Sequence, residues 1–127
     1  DAINEFYHSY DRVILHLTLD ENSGTTAYDS SPNGNDGTLT NGPQWVDGIR
    51  NSALDFDGDN DYVSVAHHSA FNLTSELTIS AWVNIESYSE MGTFVKIGNY
   101  DGGFGMGVGN SHWANSGNNL LFLGFDT

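Results

Sequence analysis

Two stretches of the chain alternate apolar and polar residues, a pattern that is typical of half-buried β-strands. They are residues 13–19 and 77–85. In both stretches every second position carries an aliphatic side chain or alanine, so one face of each strand can turn toward a core. Neither stretch shows the spacing of three to four residues that an amphipathic helix requires. The pattern therefore predicts a strand over each range.

Shorter apolar runs predict further strands at residues 53–56, 62–65, 93–97, 104–108 and 120–125. Pairs that favour tight turns separate many of the runs: Asn33-Gly34, Asp36-Gly37, Asn41-Gly42, Asp47-Gly48, Asp57-Gly58 and Asp101-Gly102. Many short strands divided by turns are typical of an antiparallel sandwich or jelly roll, so we expect an all-β fold without helices. The predicted core residues are Leu15, Leu17, Leu54, Phe56, Val63, Ile79, Ala81 and Val83.

The amino-acid composition excludes several classes of protein and of binding partner. The 127 residues include 38% hydrophobic residues, enough for one domain with a core. Three Lys and Arg residues stand against 17 Asp and Glu residues, a net charge of −14, which excludes binding to nucleic acid and to anionic membranes. No apolar run approaches the roughly 20 residues of a membrane span, so we expect no membrane insertion. Cysteine is absent, so disulfides and thiolate metal sites are excluded.

Three segments resemble the laminin-G-like, concanavalin A-like lectin/glucanase superfamily, in the form common in bacterial, archaeal and viral surface proteins. They are residues 15–39, "LHLTLDENSGTTAYDSSPNGNDGTL", residues 45–65, "WVDGIRNSALDFDGDNDYVSV", and residues 77–83, "LTISAWV". The resemblance implies an antiparallel two-sheet jelly-roll sandwich over residues 12–127, after an extension at residues 1–11. It also implies an extracellular or cell-surface setting.

The sequence departs from this family after residue 125, where members continue with further strands. Either the chain is cut short, or the domain is shortened and incomplete without a partner strand. In the second case a sheet edge would accept a strand from a neighbour, and the segment 1–11 with Phe6, Tyr7 and Tyr10 is a candidate donor. Repetition of that contact would give a homo-oligomer or filament.

Two acidic loops are candidate calcium sites, because calcium takes about six to eight oxygen ligands. The resemblance implies a structural calcium near the first strands, where Asp29 would act with Asn35 or Asp36. A second candidate set is Asp57, Asp59 and Asp61. The alternative for both loops is turn formation, since Asp, Asn and Gly tolerate the backbone angles of tight turns.

Sugar binding requires aromatic faces beside polar groups. The candidate ligand-binding residues are Tyr88, Tyr100, His112 and Trp113. Trp82 lies on the polar side of the alternation at 77–85, although the resemblance implies buried packing for it. The paired Glu residues of the glucanase branch have no counterpart at a suitable spacing, so we expect no enzymatic activity. The expected function is an extracellular binding or adhesion module for a glycan or surface polymer; the alternative is a structural subunit of a filament.

Overall fold

The structure, a computed structural model, describes residues 12–72, 76–86, 92–99, 102–109 and 120–126. Within these ranges almost all regular structure is β-strand, and the single helical element is a 3₁₀ turn at Ser69–Phe71. The expectation of an all-β protein with antiparallel sheets is confirmed. The chain divides into two compact units, Asp1–Asn72 and Leu73–Thr127.

The N-terminal unit contains two small antiparallel sheets. In the first, β2 lies between β1 and β5; in the second, β3 pairs with β4. The strand bounds are β1 Thr26–Ala27, β2 Gly37–Thr40, β3 Gln44–Asp47, β4 Ser52–Asp55 and β5 Tyr62–Val65. Strands β3 and β4 form a hairpin, whereas β2 and β5 are brought together from distant parts of the chain.

The first sheet packs around Ala27, whose exposure is 0%. Gly37 of β2 pairs with Ala27 and lies close to the side chains of Leu17 and Val63. A Cβ atom placed on Gly37 would lie 2.5 Å from Cγ1 of Val63, 3.5 Å from Cδ1 of Leu17 and 3.6 Å from Cβ of Ala27. Since even one added methyl group would overlap Val63, only glycine allows the apolar side chains to approach so closely.

Replacing Gly37 with alanine should destabilise the protein by about 1–3 kcal/mol, the usual range for an overpacked core. The Val63→Ala change removes the overlapping Cγ1 atom, so the Gly37→Ala change should cost less in that background. Urea unfolding of the wild type, the two single variants and the double variant measures this coupling. Equal costs in the two backgrounds would contradict the packing described here.

Two side-chain hydrogen bonds tie the segment before β1 to the β3–β4 hairpin. The indole Nε1–H of Trp45 donates to the carbonyl oxygen of Gly24 at 2.9 Å. The buried hydroxyl of Ser52 donates to the carbonyl oxygen of Leu19 at 2.8 Å. The bond to half-buried Leu19 satisfies a carbonyl group that lies outside any strand, as the backbone away from water requires.

In the C-terminal unit three consecutive strands form an antiparallel sheet, β6 Gly92–Asn99, β7 Gly102–Gly109 and β8 Leu120–Asp126. The pairing of β6 with β7 shifts between Thr93 and Val95, where the register is irregular. Met106 of the central strand is buried and pairs with Val95 on one side and with Leu123 on the other.

The five short predicted strands are confirmed. Residues 62–65 match β5 at both ends, and 53–56 match β4 with a shift of one residue. The runs at 93–97, 104–108 and 120–125 lie within β6, β7 and β8. Strands β1, β2 and β3 were not predicted, because they contain two to four residues each and lack an alternating apolar pattern.

The two long alternating stretches do not form strands, so those predictions were wrong. Residues 13–19 make a single isolated bridge, between Leu17 and Asp29, and the backbone leaves the extended region at Leu19, where φ is +57°. Residues 77–85 have no strand pairing in the described part of the chain. The predicted turn at Asp36-Gly37 is also wrong, since Gly37 begins β2.

The core prediction was partly wrong. Phe56 is 44% exposed because it follows the end of β4 and enters the acidic loop. Val83 is 49% exposed and Ala81 is also exposed, since the segment that carries them packs in no described sheet. The other predicted core residues are half-buried: Leu15, Leu17, Leu54, Val63 and Ile79.

Residues 1–11, the predicted extension or donor segment, lie outside the described residues. The arrangement of the sheets as one jelly roll stays a prediction. Among the described residues no helix is long and apolar enough to cross a membrane.

Candidate functional site

The loop between β1 and β2 is organised around the carboxylate of Asp29. Its Oδ1 atom accepts hydrogen bonds from the backbone N–H groups of His16, at 2.8 Å, and Ser31, at 2.9 Å. Its Oδ2 atom accepts from the hydroxyl of Ser31, at 2.7 Å, and from the N–H of Asn35, at 2.8 Å. A carboxylate has about four lone-pair positions, so protein donors occupy all of them.

The same loop binds the backbone of the preceding extended segment. The side-chain amide of Asn33 donates to the carbonyl oxygens of Val13, at 3.0 Å, and Ile14, at 3.2 Å. The side-chain amide of Asn35 also donates to the carbonyl oxygen of Ile14, at 3.2 Å. We call residues 13–16 and 29–35, joined in this way, the Asp29 clasp. In the clasp, side chains bond the backbone of Val13, Ile14 and His16. In a strand these groups would have bonded the backbone of a neighbouring strand.

The pKa of Asp29 is lowered from its ordinary value of 3.8. Partial burial by itself would raise this pKa, because it disfavours the charged form. The hydrogen bonds from His16, Ser31 and Asn35 stabilise the carboxylate and outweigh that effect. Asp29 is therefore ionised at neutral pH, and its charge is met by N–H and O–H donors.

Neighbouring acidic residues also accept hydrogen bonds from the backbone. Oδ1 of Asp36 accepts from the N–H of Asp29 at 2.9 Å. Oε1 of Glu21 accepts from the N–H of Tyr28 at 2.7 Å, while its Oε2 is buried and has no hydrogen-bond partner among the described residues. The acidic residues around β1 thus act mainly as acceptors that shape the loop.

These hydrogen bonds do not fit a calcium site at Asp29. Its lone pairs are already occupied, and the amide nitrogen of Asn35 is directed at a carbonyl oxygen. A cation bound there would have to displace backbone N–H groups, which would then lose their acceptors. The structure brings Asp29, Asn35 and Asp36 together as predicted, in an arrangement that serves the backbone.

In the second acidic loop, residues 57–61, carboxylates accept hydrogen bonds from nearby backbone N–H groups, as in tight turns, but some carboxylate oxygens have no partner in the described part of the chain. Oδ1 of Asp57 accepts from the N–H groups of Asp59, at 2.9 Å, and Asn60, at 3.4 Å. Oδ2 of Asp61 accepts from the N–H of Asp57 at 3.2 Å, and its Oδ1 is buried without a partner among the described residues. In that part of the chain no three His, Asp or Glu side chains are placed to hold a metal ion together.

The predicted ligand-binding residues Tyr88, Tyr100, His112 and Trp113 lie outside the residues whose side chains the structure describes. Trp82 is described, and its exposure is 102%, so the buried packing that the resemblance implied for it is not observed. Thr78, Ser80 and Asn84 are exposed at alternate positions of the same segment. The position of Trp82 on the polar side of the alternation was the signal that pointed to this exposure.

Comparison of the chain with protein-family models, with curated proteins and with solved structures gives no match. The resemblance of residues 15–39, 45–65 and 77–83 to laminin-G-like domains therefore stays a prediction. Strands β1, β4 and β5 lie within the first two of these segments, and β2 begins in the first; each pairs with an antiparallel neighbour.

Asp29→Asn should destabilise the protein by about 2 kcal/mol, because hydrogen bonds to a charged group contribute roughly 1.5–3 kcal/mol. The asparagine amide has the same shape as the carboxylate. However, its NH₂ group would face N–H or O–H donors that bond a carboxylate oxygen in the wild type. Asp36→Asn is the matched control, since its remaining oxygen can still accept from the N–H of Asp29. Urea unfolding compares the two variants, and equal losses would contradict the role of Asp29.

Stability should also fall on acidification in a way that depends on Asp29. Its folded pKa lies below 3.8, so the stabilisation from its ionised form is complete well above that pH. It is lost as the pH falls through the lowered pKa. The stability difference between the wild type and Asp29→Asn, measured by urea unfolding along a pH series, should be constant near neutrality and shrink in acid. A difference that stays unchanged into strong acid would disprove this linkage.

Proposed function

We propose that the chain is a non-catalytic extracellular module that binds a glycan or another surface polymer. The observation that carries this proposal is the complete exposure of Trp82. Tryptophan combines a large apolar face with a polar N–H group, a combination that is enriched at binding interfaces, and the full exposure of Trp82 leaves both open to a ligand. Support also comes from the resemblance to laminin-G-like domains, many of which occur on surface proteins.

The surroundings of Trp82 suit a sugar better than an apolar ligand. Sugars offer C–H groups to an aromatic face and hydroxyl groups to polar neighbours. Ser80 and Asn84, two residues before and after Trp82, are exposed and can both donate and accept hydrogen bonds. The net charge of −14 repels sulfated and uronic polymers, so neutral glycans are the favoured class.

Binding to an array of neutral and sulfated oligosaccharides tests this function. We expect signals on neutral glycans, and a loss of about tenfold or more in affinity, about 1.4 kcal/mol, in Trp82→Ala. Trp82→Phe should retain part of the binding, because an aromatic face remains. Tyr28→Ala is the control, since Tyr28 is 60% exposed but lies in the N-terminal unit. No binding to any glycan, or equal loss in both alanine variants, would overturn the proposal.

A second candidate function is a structural subunit joined to its neighbours by strand exchange. Residues 76–86 have no strand pairing in the described part of the chain, and Val83 is 49% exposed. Unpaired backbone beside apolar side chains can accept another strand, and a contact that does not close on itself builds a filament. The negative charge of each copy opposes this assembly, most strongly at low salt.

Electron microscopy and sedimentation at low and high salt separate the two candidates. Filaments that are promoted by salt and abolished by Val83→Lys, without glycan binding, would favour the subunit. Val46→Lys is the control, because Val46 is 38% exposed but already lies in a paired strand. Single molecules that bind neutral glycans would favour the binding module.

Structural calcium belongs to the same proposal, and the unused oxygens favour the loop of Asp57, Asp59 and Asp61 over the Asp29 clasp. Binding there requires these carboxylates to move closer together than they stand in the structure. A cation that binds only the folded state raises the melting temperature. We expect a higher melting temperature in calcium than in chelator, and we expect Asp59→Asn to abolish the difference while Asp36→Asn preserves it. Equal melting temperatures for the wild type, once metal analysis shows that the chelated sample is metal-free, would remove calcium from the proposal.

A further inference from the structure

The described part of the chain contains two Asn-Gly pairs, Asn33-Gly34 and Asn41-Gly42, and the structure holds them differently. An Asn-Gly pair is chemically labile, because glycine has no Cβ atom to shield its backbone nitrogen. That nitrogen can reach the side-chain carbonyl carbon of the asparagine. The rate then depends on how freely the asparagine side chain can turn toward it.

Asn33 is fixed within the Asp29 clasp. Its side-chain amide donates to the carbonyl oxygens of Val13 and Ile14 and, at 3.4 Å, to the hydroxyl of Ser31. Its backbone N–H donates to the same hydroxyl at 3.2 Å. Attack on its side chain would require these three hydrogen bonds of the amide to break together. The folded protein therefore protects Asn33.

Asn41 is held much less firmly. Like Asn33 it is exposed, but its amide makes one hydrogen bond, at 2.6 Å, to the carbonyl oxygen of Asn60 in the acidic loop. Asn41 and Gly42 have φ angles of +68° and +110°, so the chain turns sharply between β2 and β3. A Cβ atom on Gly42, like one on Gly34, would meet nothing within 4 Å. The two pairs therefore differ in how the asparagine side chain is held and not in the glycine.

We propose that Asn41 is a site of spontaneous deamidation in the folded protein. The backbone nitrogen of Gly42 loses its proton to solvent base and attacks Cγ of Asn41. The new N–Cγ bond closes a five-membered cyclic imide, the Cγ–Nδ2 bond breaks, and the side-chain nitrogen leaves as ammonia. Water then adds to either imide carbonyl and opens the ring to aspartate or isoaspartate. Water is the only co-reactant consumed, and ammonia is the only product released.

The modification changes the local interactions. A carboxylate replaces the amide donor that faces the carbonyl oxygen of Asn60, and Asp59 and Asp61 flank that residue in the chain. The net charge changes from −14 to −15 because one neutral side chain becomes anionic. The isoaspartate product also inserts a methylene group into the main chain between β2 and β3. We therefore expect the link between the two sheets of the N-terminal unit to loosen.

Peptide mapping by mass spectrometry of the full chain, aged at neutral and at mildly alkaline pH, tests the proposal. Asn41 should deamidate about tenfold or more faster than Asn33, a difference of at least about 1.4 kcal/mol in barrier. Alkaline pH should accelerate the reaction, and isoaspartate should be detected at position 41. In concentrated urea the two rates should converge, because the clasp no longer protects Asn33.

Comparable rates at Asn33 and Asn41 in the folded protein would overturn the proposal, as would an unmodified Asn41. The variants Asn41→Asp and Asn33→Asp test the consequences separately. Asn33→Asp should lower the melting temperature more, since it loses three hydrogen bonds against one. The reverse order would contradict the difference in anchoring.

Discussion

The carboxylate of Asp29 determines how residues 13–16 join the loop that follows β1. In the described part of the chain no strand pairs with residues 13–16, so their backbone groups depend on other partners. The loop that Asp29 organises supplies these partners: the amides of Asn33 and Asn35 bind the carbonyl groups, and Asp29 itself binds the N–H of His16. A charged acceptor suits this task, because charge-assisted hydrogen bonds are roughly twice as strong as neutral ones.

The clasp also serves the apolar packing. By holding residues 13–16 against the loop, it leads the chain to Leu17, whose Cδ1 lies 3.5 Å from the position of a Cβ on Gly37. In the described part of the chain no large side chain is fully buried. With so little buried apolar area, each close contact and each satisfied polar group contributes a larger share of the stability. The hydrogen bonds of Asp29 and the apolar packing around Gly37 therefore contribute to the stability of the same part of the unit.

The two clearly alternating stretches, residues 13–19 and 77–85, form no strand in the described part of the chain. The shorter apolar runs correctly predicted β4, β5 and the sheet of β6, β7 and β8, where each run has a strand neighbour. The alternation shows which side of an extended chain is apolar, but a strand also needs a neighbour that offers matching N–H and C=O groups. That requirement depends on distant parts of the chain. Strands β1 and β2 contain one apolar residue each and β3 contains two adjacent ones, so none of the three shows an alternating pattern.

The candidate site was predictable in its residues and much less so in its chemistry. The sequence around Asp29 indicated an oxygen-rich loop, and the structure does bring Asp29, Asn35 and Asp36 together. Oxygen ligands for a cation and acceptors for backbone N–H groups are the same side chains, so composition cannot distinguish them. The direction of the surrounding groups decides, since N–H donors point at Asp29 where a metal site would present oxygens.

The acidic composition gives a reason for this use of carboxylates. Asp and Glu residues outnumber Lys and Arg residues by 17 to 3, so salt bridges to Lys and Arg can neutralise only a small share of them. The backbone is the other large supply of donors, and among the described residues its N–H groups donate to the acidic side chains of Glu21, Asp29, Asp36, Asp57 and Asp61. Each of these carboxylates lies outside the named strands. In these loops the carboxylates accept hydrogen bonds from backbone N–H groups. The backbone donors thus do for these charges what Lys and Arg side chains would do in a salt bridge.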